Sequence, residues 1–377
     1  MAEAIVLWLV RISLIFLAVI SLLPLVPTGA WFVRICDFPR LQVLLLLIPP
    51  TCALAALAVW KRKFPREYGV LTIVIVAVVG WQGAHILPFT PVWPEELPAG
   101  NSNPTVRLMV ANVTKNNEKK DEVRGVIEQQ DPDLLLLVEI NESWAGALQS
   151  LRRTYPYREE VIRDEGLGIA LWSKLPLRET EVRHLVSDRR ASIFTDVELP
   201  DGTWARFCGI HPTPPGLRDE TPGGRRDSRV RDAELVLVAD QVKDNSDRRW
   251  IVAGDFNDVA WSDTTSLFKH LSGLRDPRVG RSLLNTYHAE HPLWRYPIDQ
   301  LFLPESSEIH SLSRVYLPGS DHFAVIADFH IPPIATEKPS ASSDEISEAE
   351  EIVEEGEEDA EKRNVESDEA EQEAIER

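Results

Sequence analysis

Val252-Ala-Gly-Asp-Phe-Asn257 is the most informative stretch of this sequence. Its short apolar run predicts a buried strand, and Asp255 and Asn257 come at the end of that strand. Because alternate residues of a strand share a face, both side chains are expected to point at one small space, where they suit a metal ion or a phosphate. By itself the stretch is equally compatible with an ordinary Gly-Asp turn after a strand. The surrounding sequence therefore has to separate these two interpretations.

Strands and helices are predicted on both sides of this stretch, over residues 105–332. Several strands follow one another closely, as antiparallel neighbours do, so the domain is predicted to be mixed α/β rather than strictly alternating and parallel. The three cysteines, Cys36, Cys52 and Cys208, offer neither a disulfide framework nor a metal-spaced pair. The predicted strands cover 106–111, 134–138, 168–172, 192–199, 204–210, 250–253, 298–303 and 323–329, and the predicted helices cover 118–130, 142–151, 229–243 and 262–271.

Polar side chains follow or begin the predicted strands with a regularity that turns alone do not explain. Each of them taken singly suits a turn residue or a helix cap. Together they supply carboxylates, amides and imidazoles, which are the groups that bind metal ions and phosphates. The residues are Asn112, Glu139, His211, Asp255 with Asn257, Asp299, and Asp321 with His322.

The motifs around these residues resemble those of the endonuclease/exonuclease/phosphatase superfamily. The resemblance covers about residues 105–331 and implies an α/β fold, a four-layer α/β sandwich of two packed mixed β-sheets flanked by helices, with the site at one end. Two positions depart from the usual motifs: Val138 stands where Gln is usual, and Gln300 stands where an aromatic residue or His is commoner, which bears on substrate contacts. The matching motifs are Val110-Ala-Asn112-Val, Leu137-Val-Glu139, Gly168 to Pro176, Ile210-His211-Pro212, Gly254-Asp255-Phe256-Asn257, Ile298 to Phe302 and Gly319-Ser320-Asp321-His322.

The resemblance implies a divalent metal ion at the site. Phosphodiester hydrolysis needs neutralisation of charge on the phosphoryl oxygens, and Mg²⁺ prefers oxygen ligands. By resemblance, Glu139 is the main metal ligand, helped by Asn112 and Asp321. Mg²⁺ is the expected ion, with Mn²⁺ as an alternative.

The remaining site residues are implied to act on water and phosphate. Asp255 would orient or deprotonate the attacking water, while Asn257 would fix a phosphate oxygen or Asp255 itself. His211 and His322 would donate to the phosphoryl oxygens as negative charge builds on them. A carboxylate beside His322, from either Asp299 or the residue directly before the histidine, would keep its ring cationic.

A run of arginines after the histidine motif allows two interpretations. An Arg there is suited to clamp an anionic substrate. Interleaved acidic residues make an ordinary solvated helix face the favoured interpretation. The arginines are Arg225, Arg226, Arg229 and Arg231.

Three apolar spans precede the domain, at 4–26, 41–60 and 69–87, and each is long enough to cross a bilayer as a helix. Residues 1–87 are therefore predicted to be a membrane anchor; a cleaved signal peptide is the alternative for the first span. The basic loop of Lys61, Arg62, Lys63 and Arg66 is expected to be cytoplasmic. The N-terminus would then lie in the cytoplasm, and the domain would lie outside it at the cell (inner) membrane.

Two flanking segments complete the domain plan. Five prolines in residues 88–104 predict a semi-rigid spacer of at most ~50 Å that lifts the domain off the membrane.

Residues 336–377 hold 18 Asp and Glu against 4 Lys and Arg, and thus carry most of the formal net charge of -19. This tail is predicted to be disordered, because it has too few apolar groups to offset its ordering entropy. A partly helical stretch around residues 349–363 is the alternative.

These observations predict a membrane-anchored, Mg²⁺-dependent enzyme that hydrolyses phosphodiester bonds, or alternatively phosphomonoester bonds, by one-step water attack. Nucleic acid and a phospholipid head group are both candidate substrates, the lipid bilayer is an expected partner, and no protein partner is inferred. Residues 101–335 hold 29 Lys and Arg against 36 Asp and Glu, so nucleic-acid binding would depend on local positive potential. The alternative function is a catalytically silent anchored domain that binds a phosphorylated ligand.

Overall fold

The computed structural model describes residues 1–62, 64–100, 105–164, 168–215, 227–333 and 339–363; Lys63, Arg225 and Arg226, and parts of the predicted spacer and tail, lie outside these ranges. The helices are α1 (Ala2–Leu22), α2 (Trp31–Arg34), α3 (Arg40–Leu46), α4 (Ile48–Lys61), α5 (Arg66–Ile86), α6 (Lys120–Gln130), α7 (Glu142–Ala147), α8 (Arg229–Asp244), α9 (Asp263–Ser272) and α10 (Ser343–Arg363). The strands are β1 (Val106–Asn112), β2 (Leu134–Val138), β3 (Tyr157–Val161), β4 (Ile169–Ser173), β5 (Leu177–Arg183), β6 (Ser192–Glu198), β7 (Trp204–Ile210), β8 (Trp250–Asp255), β9 (Asp299–Phe302), β10 (Glu308–Tyr316) and β11 (Phe323–His330).

Two mixed sheets form the centre of the domain. The six-stranded sheet has the order β10-β11-β1-β2-β4-β3, and the five-stranded sheet has the order β5-β6-β7-β8-β9. Each sheet contains one parallel pair, β1 with β2 and β7 with β8, and the other pairs are antiparallel. The predicted α/β fold with two packed sheets is confirmed.

Three apolar cores separate the four layers. The central core joins the inner faces of the sheets, for example Leu136 of β2 and Phe207 of β7. A second core lies between the six-stranded sheet and helices α6 and α7. A third lies between the five-stranded sheet and helices α8, α9 and α10. Strand β2 is buried along its whole length, which explains its uninterrupted Leu-Leu-Leu-Leu-Val sequence, because both of its faces are covered.

Three strands, β3, β5 and β10, were not predicted from the sequence, and all three lie at sheet edges. Their sequences are rich in charge: β3 reads Tyr-Arg-Glu-Glu-Val and β5 reads Leu-Arg-Glu-Thr-Glu-Val-Arg. Charged side chains are typical of edge strands, where they prevent pairing with other chains. The apolar alternation that marks an inner strand is therefore weak in these segments.

Three helical segments near the N-terminus, Glu3–Leu25, Arg40–Lys61 and Arg66–Phe89, are long and apolar enough to cross a membrane. They pack on one another through residues such as Leu14, Leu47 and Ile75. Their other faces expose large apolar side chains, including Phe16 and Val76. An exposed apolar surface of this extent is unfavourable in water and suits contact with lipid.

The proline-rich segment differs from the free spacer that its composition predicted. Leu97 is fully buried in the central core. Main-chain hydrogen bonds run from Gly280 N to Pro88 O (2.8 Å) and from Ile309 N to Pro98 O (2.9 Å). Lys269 also forms an ion pair with Glu96 at 2.9 Å. The described part of the segment thus lies along the domain, because its apolar and acidic side chains find partners there, and it does not hold the domain away from the anchor.

The acidic tail also differs from the predicted disorder and agrees with the alternative of a partly helical stretch, since α10 occupies residues Ser343–Arg363. Ser342 and Glu345 form a capping box, in which each side chain accepts a hydrogen bond from the backbone N–H of the other. A stripe of small and apolar residues lies against α8 and the third core: Ala349, Val353, Gly356 and Ala360. This spacing lines one face of a helix and stabilises it by packing, which an argument from overall composition overlooks.

Candidate active site

The ends of strands from both sheets meet at one cavity. Parallel pairing places the carboxyl ends of β1 and β2 side by side in one sheet, and those of β7 and β8 side by side in the other. The cavity has a volume of about 830 Å³. Six of the predicted residues line it, and Asn112 and Asp299 join them through hydrogen bonds. The six are Glu139, His211, Asp255, Asn257, Asp321 and His322.

Asn112 connects the two sheets at the site. Its side chain is buried, and its Nδ2 donates to Glu139 Oε1 (3.1 Å) and to Asp255 Oδ2 (3.0 Å). Its Oδ1 accepts from the backbone N–H of Thr114 at 3.0 Å. In this arrangement Asn112 holds the two carboxylates in place with its amide nitrogen. Its predicted role as a metal ligand stays a prediction.

Glu139 lies directly after β2 in a left-handed conformation, with φ of 62°. A non-glycine residue in this region costs on the order of 1 kcal/mol, and such strain is common at functional sites. Its Oε2 accepts from the backbone N–H of Lys115 at 3.1 Å, and both residues line the cavity. The turn thus directs a half-buried carboxylate into the site.

Gly254 allows β8 to bring Asp255 close to β7. A Cβ atom at this position would lie 1.9 Å from the carbonyl oxygen of Ile210, so only glycine fits. The Gly-Asp pair is therefore part of the strand packing that places Asp255 beside His211.

Asp255, His322 and Asp299 form a buried chain of charges. His322 Nδ1 lies 2.8 Å from Asp299 Oδ2, and His322 Nε2 lies 3.8 Å from Asp255 Oδ2. Burial opposes the charged form of His322, but the charges of Asp299 and Asp255 and the hydrogen bond to Asp299 outweigh it and raise its pKa to about 10. Burial and the negative charge of Asp299 raise the pKa of Asp255 to about 7. His322 is therefore a cation at neutral pH, next to a carboxylate suited to accept a proton.

Arg190 is a site residue that the sequence did not reveal. It is buried, it lines the cavity, and its Nη1 lies 3.0 Å from Nδ1 of His211. The same Nη1 also lies 3.3 Å from Nε2 of His211, so the guanidinium contacts both nitrogens of the ring. His211 Nε2 lies 3.8 Å from Asp255 Oδ2. Two adjacent arginines in a loop gave no signal beyond that of a charged surface.

Tyr287 was also missed by sequence reasoning. Its ring lies 4.9 Å from that of His322, centroid to centroid, and it lines the cavity. Burial raises its pKa, so its hydroxyl stays protonated at neutral pH. A single Tyr in an irregular loop carries no sequence pattern that would single it out.

Two sequence-based interpretations near Asp255 need correction. Arg231 was expected on a solvated helix face, but it is buried, pairs with Asp232 at 2.6 Å and donates to the backbone carbonyl of Asn257 at 2.9 Å. It supports the loop after β8. Gln300 was expected to bear on substrate contacts, but its side chain is buried and accepts from Arg278 at 2.7 Å.

Asn257 acts on its neighbours through both backbone and side chain. Its backbone N–H donates to Asp255 Oδ1 at 3.0 Å, and its Nδ2 donates to the carbonyl oxygen of Pro212 at 2.9 Å. Asn257 thereby fixes Asp255 and the loop that carries His211. Contact with a phosphate oxygen stays a prediction.

The donor set at the cavity fits a hard divalent cation. Glu139 and Asp321 both line the cavity, and carboxylate oxygens are the preferred ligands of Mg²⁺. A second grouping, Asp255, Asp299 and His322, places one potential ligand atom of each residue within 4.8 Å of the others. We favour Glu139 and Asp321, because both present carboxylate oxygens to the cavity and Asp299 Oδ2 of the other grouping already lies 2.8 Å from His322 Nδ1.

Comparison with known proteins places this site in a family. Residues 108–322 match the model of the Endonuclease/Exonuclease/phosphatase family. The chain belongs to this family. The match contains all eight predicted site residues, whereas the three apolar helices and α10 lie outside it. A comparison with curated proteins found no match.

Solved structures with similarity to this family member include three that share 16–17% sequence identity with it. D. rerio TDP2 complexed with a single-strand DNA product has a TM-score of 0.49 at 17% identity. The match covers 61% of this chain and 100% of the TDP2 chain. The human Nocturnin catalytic domain with bound sulfate has a TM-score of 0.47, with coverage of 62% and 97% at 16% identity. Sphingomyelinase C from Streptomyces griseocarneus has a TM-score of 0.44, with coverage of 60% and 99% at 16% identity.

Proposed function

We propose that this protein is a membrane-anchored, metal-dependent phosphoesterase that hydrolyses phosphodiester bonds by one-step attack of water. The observation that carries the proposal is the setting of Asp255. Its carboxylate is buried, is held by Asn112 and by the backbone N–H of Asn257, and lies 3.8 Å from each of two imidazoles at the wall of a large cavity. This arrangement can position a water molecule and take its proton while positive charge is available nearby.

The protonation state of each residue determines its proposed role in the reaction. Asp255, with its pKa raised to about 7, is matched to accept a proton from water near neutral pH. His322, cationic at that pH, stabilises the negative charge that builds on the phosphoryl oxygens. His211 faces the same carboxylate, with its Nε2 3.8 Å from Asp255 Oδ2. Asn112 and Asn257 hold these groups in position through hydrogen bonds.

Glu139 and Asp321 are the proposed ligands of Mg²⁺, with Mn²⁺ as an alternative. When bound, the ion would neutralise phosphoryl oxygens and so lower the barrier to attack. Each oxygen of Glu139 accepts one hydrogen bond, from Asn112 or from Lys115, and the remaining lone pairs are available to a cation. Thr114 orients Asp321 by donating to its Oδ1 at 2.6 Å.

Metal dependence is tested with purified full-length protein and bis(p-nitrophenyl) phosphate as a soluble phosphodiester. Activity should disappear with EDTA and return with Mg²⁺ or Mn²⁺. Glu139→Gln should lower activity by about 10²-fold or more, since a neutral amide binds Mg²⁺ weakly. Glu142→Gln, at an exposed position in the first turn of α7, is the matched control and should leave the rate unchanged. Full activity of Glu139→Gln, or activity that survives EDTA, would contradict the proposal.

We further propose that the domain lies outside the cytoplasm and the N-terminus inside it. The basic residues between the second and third spans, including Lys61 and Arg66, support this orientation by the positive-inside rule. Asp201→Cys, in the exposed turn between β6 and β7, should add labelling by a membrane-impermeant maleimide in intact cells, relative to the natural chain. Added labelling that appears only after lysis would mean the opposite orientation.

A further inference from the structure

The cavity that contains Asp255 is also lined by the membrane anchor. One part of its wall comes from the end of the first apolar helix, at Ile20. More of the wall comes from the segment that connects the first two spans, which we name the anchor loop (residues 29–39). The lining residues of the anchor loop are Trp31, Ile35, Cys36, Phe38 and Pro39.

The anchor loop is fixed to the domain by contacts on both sides of the cavity lining. Ser228 N donates to Gly29 O at 2.8 Å at the start of the loop. Trp261 Nε1 donates to Asp37 O at 2.7 Å near its end. The rings of Phe38 and Tyr296 pack edge to face with centroids 5.3 Å apart. The anchor and the domain thus form one continuous wall, and the loop occupies a defined position at the site.

An apolar rim connects this wall with the surface of the membrane helices. Phe32 and Ile35 of the anchor loop are 55% and 51% exposed. On the domain, Leu293 and Trp294 are 69% and 58% exposed, and Leu293 O accepts from Gln42 Nε2 of the second span at 2.7 Å. Aromatic and aliphatic side chains beside the end of a membrane span suit the interface of a bilayer. The rim therefore offers an apolar path from the lipid to the site.

We propose that the anchor loop is part of the substrate site, and that the substrate is an amphiphile whose phosphoester head reaches Asp255 while its hydrocarbon part stays against the loop and the first span. This proposal rests on the proposed phosphoesterase function and specifies its substrate class. The two halves of the cavity match the two halves of such a molecule. Lys115, Arg190 and His322 line it for an anionic head, and Ile20, Ile35 and Trp294 line it for an apolar chain.

A lipid phosphoester fits this geometry better than nucleic acid does. A lipid can enter the cavity by sliding along the apolar rim, with its chain still in the bilayer. A nucleic acid would have to pass between the membrane and the domain, where it would meet apolar side chains. The domain also offers no compensating charge, since residues 101–335 hold 29 Lys and Arg against 36 Asp and Glu.

Two phosphodiesters with the same leaving group, one with a short alkyl chain and one with a long chain, separate the contribution of the phosphoester head from that of the hydrocarbon chain. Ethyl p-nitrophenyl phosphate is water-soluble, and hexadecyl p-nitrophenyl phosphate partitions into dodecyl maltoside micelles that also hold the full-length protein. The hexadecyl compound should be hydrolysed with kcat/KM higher by about tenfold or more, because burying a few methylene groups is worth that factor. Single-stranded and duplex DNA should be poor substrates in the same assay.

Variants of the rim distinguish binding by the anchor loop from simple concentration of substrate in the micelle. Ile35→Ser and Trp294→Ala should each lower the ratio of hexadecyl to ethyl turnover about fivefold or more, since each removes apolar contact with the chain. Leu45→Ser, at a lipid-exposed position of α3 outside the cavity, and Val182→Ser, on the exposed edge strand β5, should keep the ratio of the natural chain.

The possible results separate the two proposals. If the ethyl compound or DNA is hydrolysed at least as well as the hexadecyl compound, or if the rim variants keep the natural ratio, the amphiphile proposal is wrong and the phosphoesterase function stands. If none of the three substrate types is hydrolysed with Mg²⁺ or Mn²⁺, the phosphoesterase function fails and the substrate proposal fails with it.

Discussion

Asp255→Asn is expected to lower kcat for phosphodiester hydrolysis by about 10³-fold, within the range that removal of a general base produces. The amide keeps the shape of the carboxylate and can still accept a hydrogen bond from the backbone N–H of Asn257. It cannot take a proton from water. Because the substitution leaves the cavity walls unchanged, KM should change much less than kcat. Steady-state kinetics with a soluble phosphodiester measure both parameters.

The stability of the same variant separates a chemical role from a structural one. Burial and Asp299 raise the pKa of Asp255 to about 7, above its unfolded value. The stability associated with its protonated form is therefore present at low pH and is lost as pH rises through about 7. Because the amide has no charge to acquire, the unfolding temperature of Asp255→Asn relative to that of the natural chain should rise between pH 5 and pH 8 in metal-free buffer, even though the amide loses the hydrogen bond from Asn112. Asp121→Asn, on the exposed face of α6, should change neither activity nor stability. A difference in unfolding temperature that does not change with pH would instead indicate a purely structural role for Asp255.

The inner strands could be predicted from the sequence because their residues are almost all apolar. β2 and β8 are buried on both faces and have short, apolar sequences; Glu139 directly follows β2, and Asp255 is the last residue of β8. The edge strands escaped prediction because charge replaces their apolar alternation. For α10, composition favoured disorder over the helical alternative, because four small or apolar side chains, spaced along one face, do not alter an acidic composition.

At the site, the sequence identified residues that follow strands in recognisable motifs. Arg190 lies in a loop where two arginines suggest only surface charge, yet it is buried against His211. Arg231 looked like part of a solvated helix, yet it holds the loop of Asn257. Their positions depend on which side of a helix or loop faces the site, and that depends on tertiary packing. The anchor loop could likewise not be predicted to line the cavity, because residues 29–39 and Asp255 are far apart along the chain.

Asp299→Asn is expected to move the pH–rate profile to lower pH as well as lowering the rate. Asp299 lies 2.8 Å from His322 Nδ1, and the neutral amide removes the charge that keeps the ring cationic. The imidazolium is present below its pKa, so a lower pKa of His322 shifts the loss of activity on the alkaline side toward neutral pH. The pKa of Asp255, which the charge of Asp299 raises, should fall too, shifting the acidic side of the profile in the same direction.

Asp299→Asn should therefore be about 10²-fold slower than the natural chain at pH 9 and should recover part of this loss at pH 6. General acid–base and electrostatic contributions of single groups are of this size. His322→Gln should be slow at every pH, since it has no charge to lose. Initial rates measured from pH 5 to pH 10 at saturating metal make the comparison, with Asp121→Asn as the matched control. If Asp299 only supported the fold, its Asn variant would give a profile of unchanged shape at reduced height. A displaced alkaline side of the profile requires that Asp299 act through the charge of His322, whereas a displaced acidic side alone would indicate action on Asp255.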